Sequence, residues 1–218
     1  LGMHIHTRYE VSNNAGQDIC DIVNNEGFDF LLVGSGISMS DSPDDIAATR
    51  YRTSFYNRYF KRFKAPESWF YPGALLKDKT KMFIARSNCD VGVFINRNFV
   101  KATNTLVVIS SEEDLFLLDY TRTLLKATHG SVGIVAKMST TTPGHDQILK
   151  ELWDFVSSTP QTQLLPDKDL TPGLFNSYNF MLIGYNTWND VSEHRKEALQ
   201  KMPSTLILNK NKRSSSDN

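Results

Sequence analysis

The run Phe30-Leu31-Leu32-Val33-Gly34-Ser35 constrains the fold more than any other part of the chain. A short, uncharged stretch that is apolar at consecutive positions suits a strand buried in a parallel sheet, where helices cover both faces. It is fed by a helix-like segment, Ala15 to Glu26, with Ile19, Ile22 and Val23 on one face. Ser12-Asn13-Asn14 supplies capping oxygens before that helix and Gly27 a stop after it. A helix running into a buried strand that ends on Gly34-Ser35-Gly36 is one step of an α/β sheet, and ligands of such sheets gather at the carboxyl ends of strands.

The same punctuation continues. A helix ending near Ala85 precedes a strand from Cys89 to Ile95, and a polar, aperiodic stretch from Asn96 to Asn104 is the best internal boundary. Beyond it the pattern predicts strand 105–109, helix 112–128, strand 131–136, helix 147–157, a Pro-bearing connection, strand 180–184, helix 191–202 and strand 204–208. Alternating strands and helices predict an α/β fold, a parallel sheet flanked by helices. The two halves echo each other. Phe28-Asp29-Phe30-Leu31-Leu32-Val33-Gly34, a helix and Val91-Gly92-Val93-Phe94-Ile95 parallel Tyr178-Asn179-Phe180-Met181-Leu182-Ile183-Gly184, a helix and Thr205-Leu206-Ile207-Leu208. This predicts two units, 1–100 and 101–210, the first truncated at its front, followed by a flexible tail at 211–218.

Composition removes some classes of function. Lys and Arg equal Asp and Glu at 24 each, so no global field favours nucleic acid. Two cysteines, Cys20 and Cys89, are too few for a disulfide framework, and neither a signal peptide nor a run of about 18 apolar residues is present. The expectation is a soluble, cytosolic piece; opening on Leu1 directly into strand-like sequence, it reads as a fragment of something longer.

Three segments carry a resemblance. Asn88-Cys89-Asp90-Val91-Gly92-Val93-Phe94-Ile95-Asn96-Arg97 resembles the Cys-x-Val-Gly-aliphatic-aliphatic-Val-Asp-Arg-Gly segment in the cytosolic tail of plant and fungal cation/proton exchangers. Ser110-Ser111-Glu112-Glu113-Asp114, leading into a long helix with His129, is similar to that tail's Gly-Gly-x-Asp-Asp-Arg-Glu segment, and Leu182-Ile183-Gly184 to its aliphatic-Val-Gly-Arg strand end. The match is closest to the fungal potassium/proton antiporters, and it lies in the order and spacing of the segments. The resemblance implies tandem universal stress protein-like units that regulate a transporter by conformational coupling, without catalysis. It also implies the antiporter's own transmembrane domain as partner, a possible homodimer, and the cytosolic face of a membrane, endomembrane rather than plasma membrane. His129 is the candidate pH sensor that this resemblance suggests, with a plain helix-cap histidine as the alternative. Asn96-Arg97-Asn98 stands where the family has Asp-Arg-Gly, so Asn98 is expected to take a left-handed turn. Ser110-Ser111 replaces Gly-Gly and reads as a helix cap with Glu113 or Asp114 at the positive helix end.

Nucleotide-binding stress proteins wrap phosphates with Gly-x-x-Gly, nine residues, then Gly-Ser or Gly-Thr. Gly34, Ser35 and Gly36 supply an opening, but the next glycine is Gly73, so a strand-end turn competes with a ligand site, and no cofactor is called. In place of the missing half, 37–80 forms a basic aromatic insertion. From Ile46 to Pro66 there is no acid, while Arg50, Arg52, Arg58, Lys61, Arg62 and Lys64 alternate with aromatics, and Phe55, Tyr59 and Phe63 share one helical face. Two readings stand: an aromatic stripe packed on the sheet with a solvated rim, or contact with an anionic lipid surface or the transporter's loops. His4 and His6 share a strand face without a third ligand, so no metal site is called. Asn88-Cys89 is a dipeptide capable in principle of backbone cleavage and reads instead as a strand entrance. No nucleophile elbow, carboxylate pair or zinc pattern is found, so no enzyme is expected; a stand-alone nucleotide-binding stress protein is the alternative.

Overall fold

The computed structural model describes residues 12–34, 79–138, 144–166, 170–194 and 201–211. The chain runs α1 (Ala15–Glu26), β1 (Phe30–Gly34), α2 (Lys79–Arg86), β2 (Asp90–Ile95), β3 (Asn104–Ile109), a 3-10 turn (Glu112–Asp114), α3 (Leu117–Thr128) and β4 (Ser131–Ala136). It continues with α4 (His145–Ser158), β5 (Thr162–Pro166), α5 (Pro172–Phe175), β6 (Phe180–Gly184), α6 (Tyr185–His194) and β7 (Ser204–Asn209). Local chemistry sets the ends of α1: the Asn14 side chain accepts from Gln17 N–H, and Gly27, at φ 67°, returns its N–H to Val23.

The strands of the described residues join one seven-stranded sheet in the order β1-β2-β7-β6-β3-β4-β5. The expectation of a wholly parallel sheet is corrected at one place: β2 and β7 pair antiparallel, whereas every other neighbouring pair is parallel. Strands covered on both faces carry no polar alternation, so their composition does not encode direction. The stretch 96–103 therefore connects two strands of the same sheet. The helix expected from Val191 begins six residues earlier, directly on the strand end at Tyr185. The helix expected over 112–128 splits into the 3-10 turn and α3, and the Pro-bearing connection hides both β5 and the short α5.

Alternate residues divide the core between two faces. Leu106, Val108, Met181, Ile183, Val93 and Ile207 pack beneath Phe175, Trp188 and Val191 of α5 and α6. Cys20, Phe83 and Val91 extend that face beneath α1 and α2, because Val91 lies two positions from Val93 on β2. On the opposite face Val107, Ile109, Ile134, Phe180 and Leu182 meet Leu117, Leu118 and Leu125 of α3 and Ile148, Leu152 and Phe155 of α4.

The β2–β7 register carries a hidden symmetry. The repeat equates β1 with β6 and β2 with β7, so that Val93 corresponds to Ile207, Gly92 to Leu206 and Phe94 to Leu208. The observed partners are Val93 with Ile207, Gly92 with Leu208 and Phe94 with Leu206. Gly92 therefore pairs with the equivalent of Phe94, and Phe94 with the equivalent of Gly92, as in an isologous two-fold interface, and the pseudo-dyad passes between Val93 and Ile207. The helices obey the same operation, since α1 and α2 lie on the face that holds α5 and α6.

Candidate functional site

In the parallel block β5-β4-β3-β6-β7, the chain leaves β3 toward β4 on one side and β6 toward β7 on the other. The carboxyl ends of β3 and β6 therefore form a switch-point crevice, the usual ligand position of an open α/β sheet. Here the crevice is filled from within. Ser111 caps the 3-10 turn that follows β3, which places Asp114 over the end of β6. The Asp114 Oδ2 oxygen accepts hydrogen bonds from Ser110 N–H at 2.8 Å, Ser110 Oγ at 3.2 Å, Ser111 N–H at 3.2 Å and Thr187 Oγ1 at 2.6 Å. Ser110 Oγ and Thr187 Oγ1 also meet at 2.5 Å. Asn186 ties the rim by donating to Glu113 Oε2 at 2.7 Å.

Asp114 is only 2% exposed. A carboxylate taken from water at this depth is stable because backbone amides and hydroxyls converge on it. Gly184 makes room for it: a Cβ at that position would collide with Asp114 Oδ1. The strand-end glycine thus serves close approach, yet what approaches is the chain's own carboxylate. The Ser110 and Ser111 amides at this strand end are thus already engaged by the chain's own side chain and are not free to receive a phosphate.

Beside the crevice, α3, α4 and Lys210 border an open cavity of about 660 Å³. Glu112, Glu113, Asp119, Glu151 and Asp154 line it with Arg122 and Lys210. Arg122 pairs with Asp119 at 2.8 Å and lies 4.8 Å above the centre of the Phe155 ring. Among the described residues no group of three or more His, Cys, Asp or Glu is placed to hold a metal ion.

The sequence-predicted positions scatter. Gly34 ends β1, but β1 and β2 run opposite to the other strands, so Gly34 lies at the edge of the sheet away from Asp114. Ser35 and Gly36, His4 and His6, and the basic residues Arg50, Arg52, Arg58, Lys61, Arg62 and Lys64 lie outside the described residues. His129 is the left-handed C-cap of α3, at φ 53°, exposed, with its backbone N–H on Leu125. Asn98 takes the left-handed turn expected of it, at φ 58°. Next to it Asn96 accepts from Phe99 N–H at 2.9 Å and Arg97 N–H donates to Ser204 Oγ at 2.8 Å, which fastens this turn to the start of β7.

Sequence reasoning missed a second, half-buried junction. Asp90, at the start of β2, accepts from Tyr120 Oη at 2.8 Å and from Asn211 N–H at 2.8 Å, while Asn211 Nδ2 donates to Ser87 O. Burial, together with the Asp90 carboxylate, pushes the Tyr120 phenol well above its ordinary value. The Cys20 and Cys89 thiols are raised as well, chiefly by burial.

No protein-family model matches the chain, and no curated protein matches it in sequence. Among solved structures the chain is similar to a universal stress protein from Archaeoglobus fulgidus, with a TM-score of 0.50 and 10% identity. The match covers 90% of this chain and 66% of that one, so the chain spans just under two thirds of its length. At that identity the likeness is one of fold: a universal stress protein-like α/β fold with a mixed, mostly parallel seven-stranded sheet. Among the described residues no helix is long and apolar enough to cross a membrane.

Proposed function

We propose that this chain is a regulatory module, not an enzyme, built of two universal stress protein-like units. The observation that carries the reading is the two-fold register at Val93 and Ile207, which joins the two repeats through main-chain hydrogen bonds in one continuous sheet. A shift of packing in either unit then strains the other, which is the coupling a regulatory domain needs. The engaged Asp114 supports a role without nucleotide in the 101–210 unit, because its crevice holds an internal anion.

The finer reading rests on the resemblance at Asn88–Arg97, Ser110–Asp114 and Leu182–Gly184. On it, the module belongs to a monovalent cation (potassium)/proton antiporter. It lies on the cytosolic face of an endomembrane, with the antiporter's transmembrane domain as its partner. The test is antiport in vesicles carrying the transporter with and without residues 1–218. Altered pH and potassium dependence on deletion is the expected result, and identical profiles refute the regulatory role. The nucleotide alternative has its own assay: calorimetry with ATP, AMP and NAD is expected to give no binding heat, and saturable heat would restore it.

A further inference from the structure

The direction of the strands sorts the charged loops between the two ends of the sheet. Because β3, β4, β5, β6 and β7 run together and β2 enters against them, the stretch 96–103 lies at one end with the loops that precede β4, β5, β6 and β7. Among the described residues these loops, 96–103, 129–130, 159–161, 176–179 and 201–203, carry no Asp or Glu. Exposed Arg97, Lys101 and Lys201 stand there, with Lys126 in the last turn of α3 and Glu193 in that of α6 behind them. The opposite end holds Asp29, Asp90, Glu112, Glu113, Asp114 and Asp146 against Arg86, Lys137 and Lys210. A chain with no net charge is therefore polarised along its strands. Loop 96–103 crosses the starts of β7 and β6 and is fastened at each step. Arg97 N–H donates to Ser204 Oγ, Asn98 turns left-handed, and Asn96 Oδ1 accepts from Phe99 N–H. The Phe99 ring meets Phe94 edge-on at 5.5 Å and Phe180 at 5.2 Å, and Asn179 Nδ2 donates to Thr103 Oγ1 at 2.6 Å. Held in this way, Val100 is 92% exposed, more than any other large apolar side chain of the described residues, with Lys101 next to it. One exposed apolar residue is ordinary by itself. A fixed one, in a loop that carries cations and no acids, suits an anionic bilayer surface.

We infer that this end of the sheet, with Val100 at its tip, is a docking surface for an anionic lipid bilayer. Val100 enters the headgroup region, and Arg97, Lys101, Lys126 and Lys201 meet the anionic headgroups. The acidic end, with the Asp114 crevice, is then turned toward water. Lipid is favoured over nucleic acid because the loop presents an aliphatic tip: its one aromatic ring, Phe99, is packed against Phe94 and Phe180, and Val100 offers no ring on which a base could stack. The inference rests on the loop and the charge pattern alone, so unchanged antiport on deletion of the module leaves it standing.

The probe is a phosphatidylcholine vesicle with or without roughly 30% phosphatidylserine, floated with the 218-residue chain at about 0.1 M salt. Partition onto the anionic vesicles is expected to exceed that onto phosphatidylcholine alone by at least about fivefold. Val100→Asp should lower it about tenfold and Lys101→Glu about fivefold, both with unchanged urea melts, since the two side chains are exposed. Phe28→Asp, which removes a half-exposed apolar side chain at the acidic end, should leave the partition as it was. A polarity-sensitive dye on Val100→Cys should shift to the blue on anionic vesicles, while the same dye on Phe28→Cys should not; the native Cys20 and Cys89 are buried. Equal recovery on the two vesicles overturns the inference. So does a Val100→Asp chain that floats like the parent, or a dye shift at position 28 that matches the one at 100. Displacement from the vesicles by an equal mass of polyuridylate would overturn it in favour of nucleic acid.

Discussion

Removing the Asp114 carboxylate is the sharpest test of the closed crevice. In Asp114→Ala, the N–H groups of Ser110 and Ser111 lose their acceptor, while the Ser110 and Thr187 hydroxyls, already 2.5 Å apart, can satisfy each other. Bonds to a charged acceptor are worth roughly 1.5–3 kcal/mol each, so losing the two backbone donors costs about 3–6 kcal/mol. With a urea m-value of about 2 kcal/mol/M for a chain of this size, the unfolding midpoint falls by about 1.5–3 M. Gly184→Ala alone drives a Cβ into Asp114 Oδ1 and costs about 2 kcal/mol through overpacking. Combining the two changes removes the obstacle, so the alanine at 184 should cost under about 1 kcal/mol in the Asp114→Ala background, a coupling well outside additivity. Urea melts of the four proteins, followed by circular dichroism, provide the measurement. Strict additivity, or a loss below about 1 kcal/mol for Asp114→Ala, would show that the carboxylate does not fill the crevice as described.

Other consequences are quicker to check. Val93→Asp places a charge at a core pair where both partners are 1% exposed, and should cost at least about 4 kcal/mol, read as loss of the cooperative melt. The Trp188 indole N–H is buried without an acceptor. Trp188→Phe therefore trades lost contacts of about 1–2 kcal/mol against relief of a similar size, and a loss above about 3 kcal/mol in a urea melt would mean that the N–H is bonded. Both thiols ionise later in the folded chain than in the unfolded one, so their contribution to stability is constant below the ordinary thiol value of 9.0 and is lost as pH rises above it. Midpoints compared on either side of that value should fall less steeply in Cys20→Ala/Cys89→Ala, and equal slopes would contradict the burial argument. Tyr120→Phe removes one bond to Asp90 and should cost about 1 kcal/mol by the same melts, since Asn211 still holds the carboxylate.

What was legible in the sequence was whatever is governed by neighbouring residues. Gly27, Asn14 and Asn98 act through their own backbone or a partner a few positions away, and each took the conformation its chemistry demands. Ser131–Ala136 and Phe180–Gly184 were visible because unbroken apolar runs have few other uses. Thr162–Pro166 was not, because a strand at the far edge of the sheet needs little apolar surface and this one ends in proline. The onset of α6 gave no signal, since it follows Gly184 without a capping residue. Asp114 could be read as a helix-end acid, but its partner Thr187 lies 73 positions away, and no local pattern reports that distance. The direction of β2 against β7 was hidden for the same reason: it is decided by symmetry between distant segments.

The position of β7 also governs how the chain can fold. It is the last of the described strands in sequence, yet it stands between β2 and β6 and bonds to both. Until Ser204–Asn209 has been synthesised, β1 and β2 form, among the described residues, a two-stranded ribbon, which is marginal in water by itself. The strands made first therefore wait, with Phe30 and Phe94 incompletely covered, for the strand made last. Such long-range closure is slow and leaves apolar surface open to wrong partners meanwhile. Nascent chains stopped just before Ser204 should be clipped within residues 12–95 while 104–194 resists.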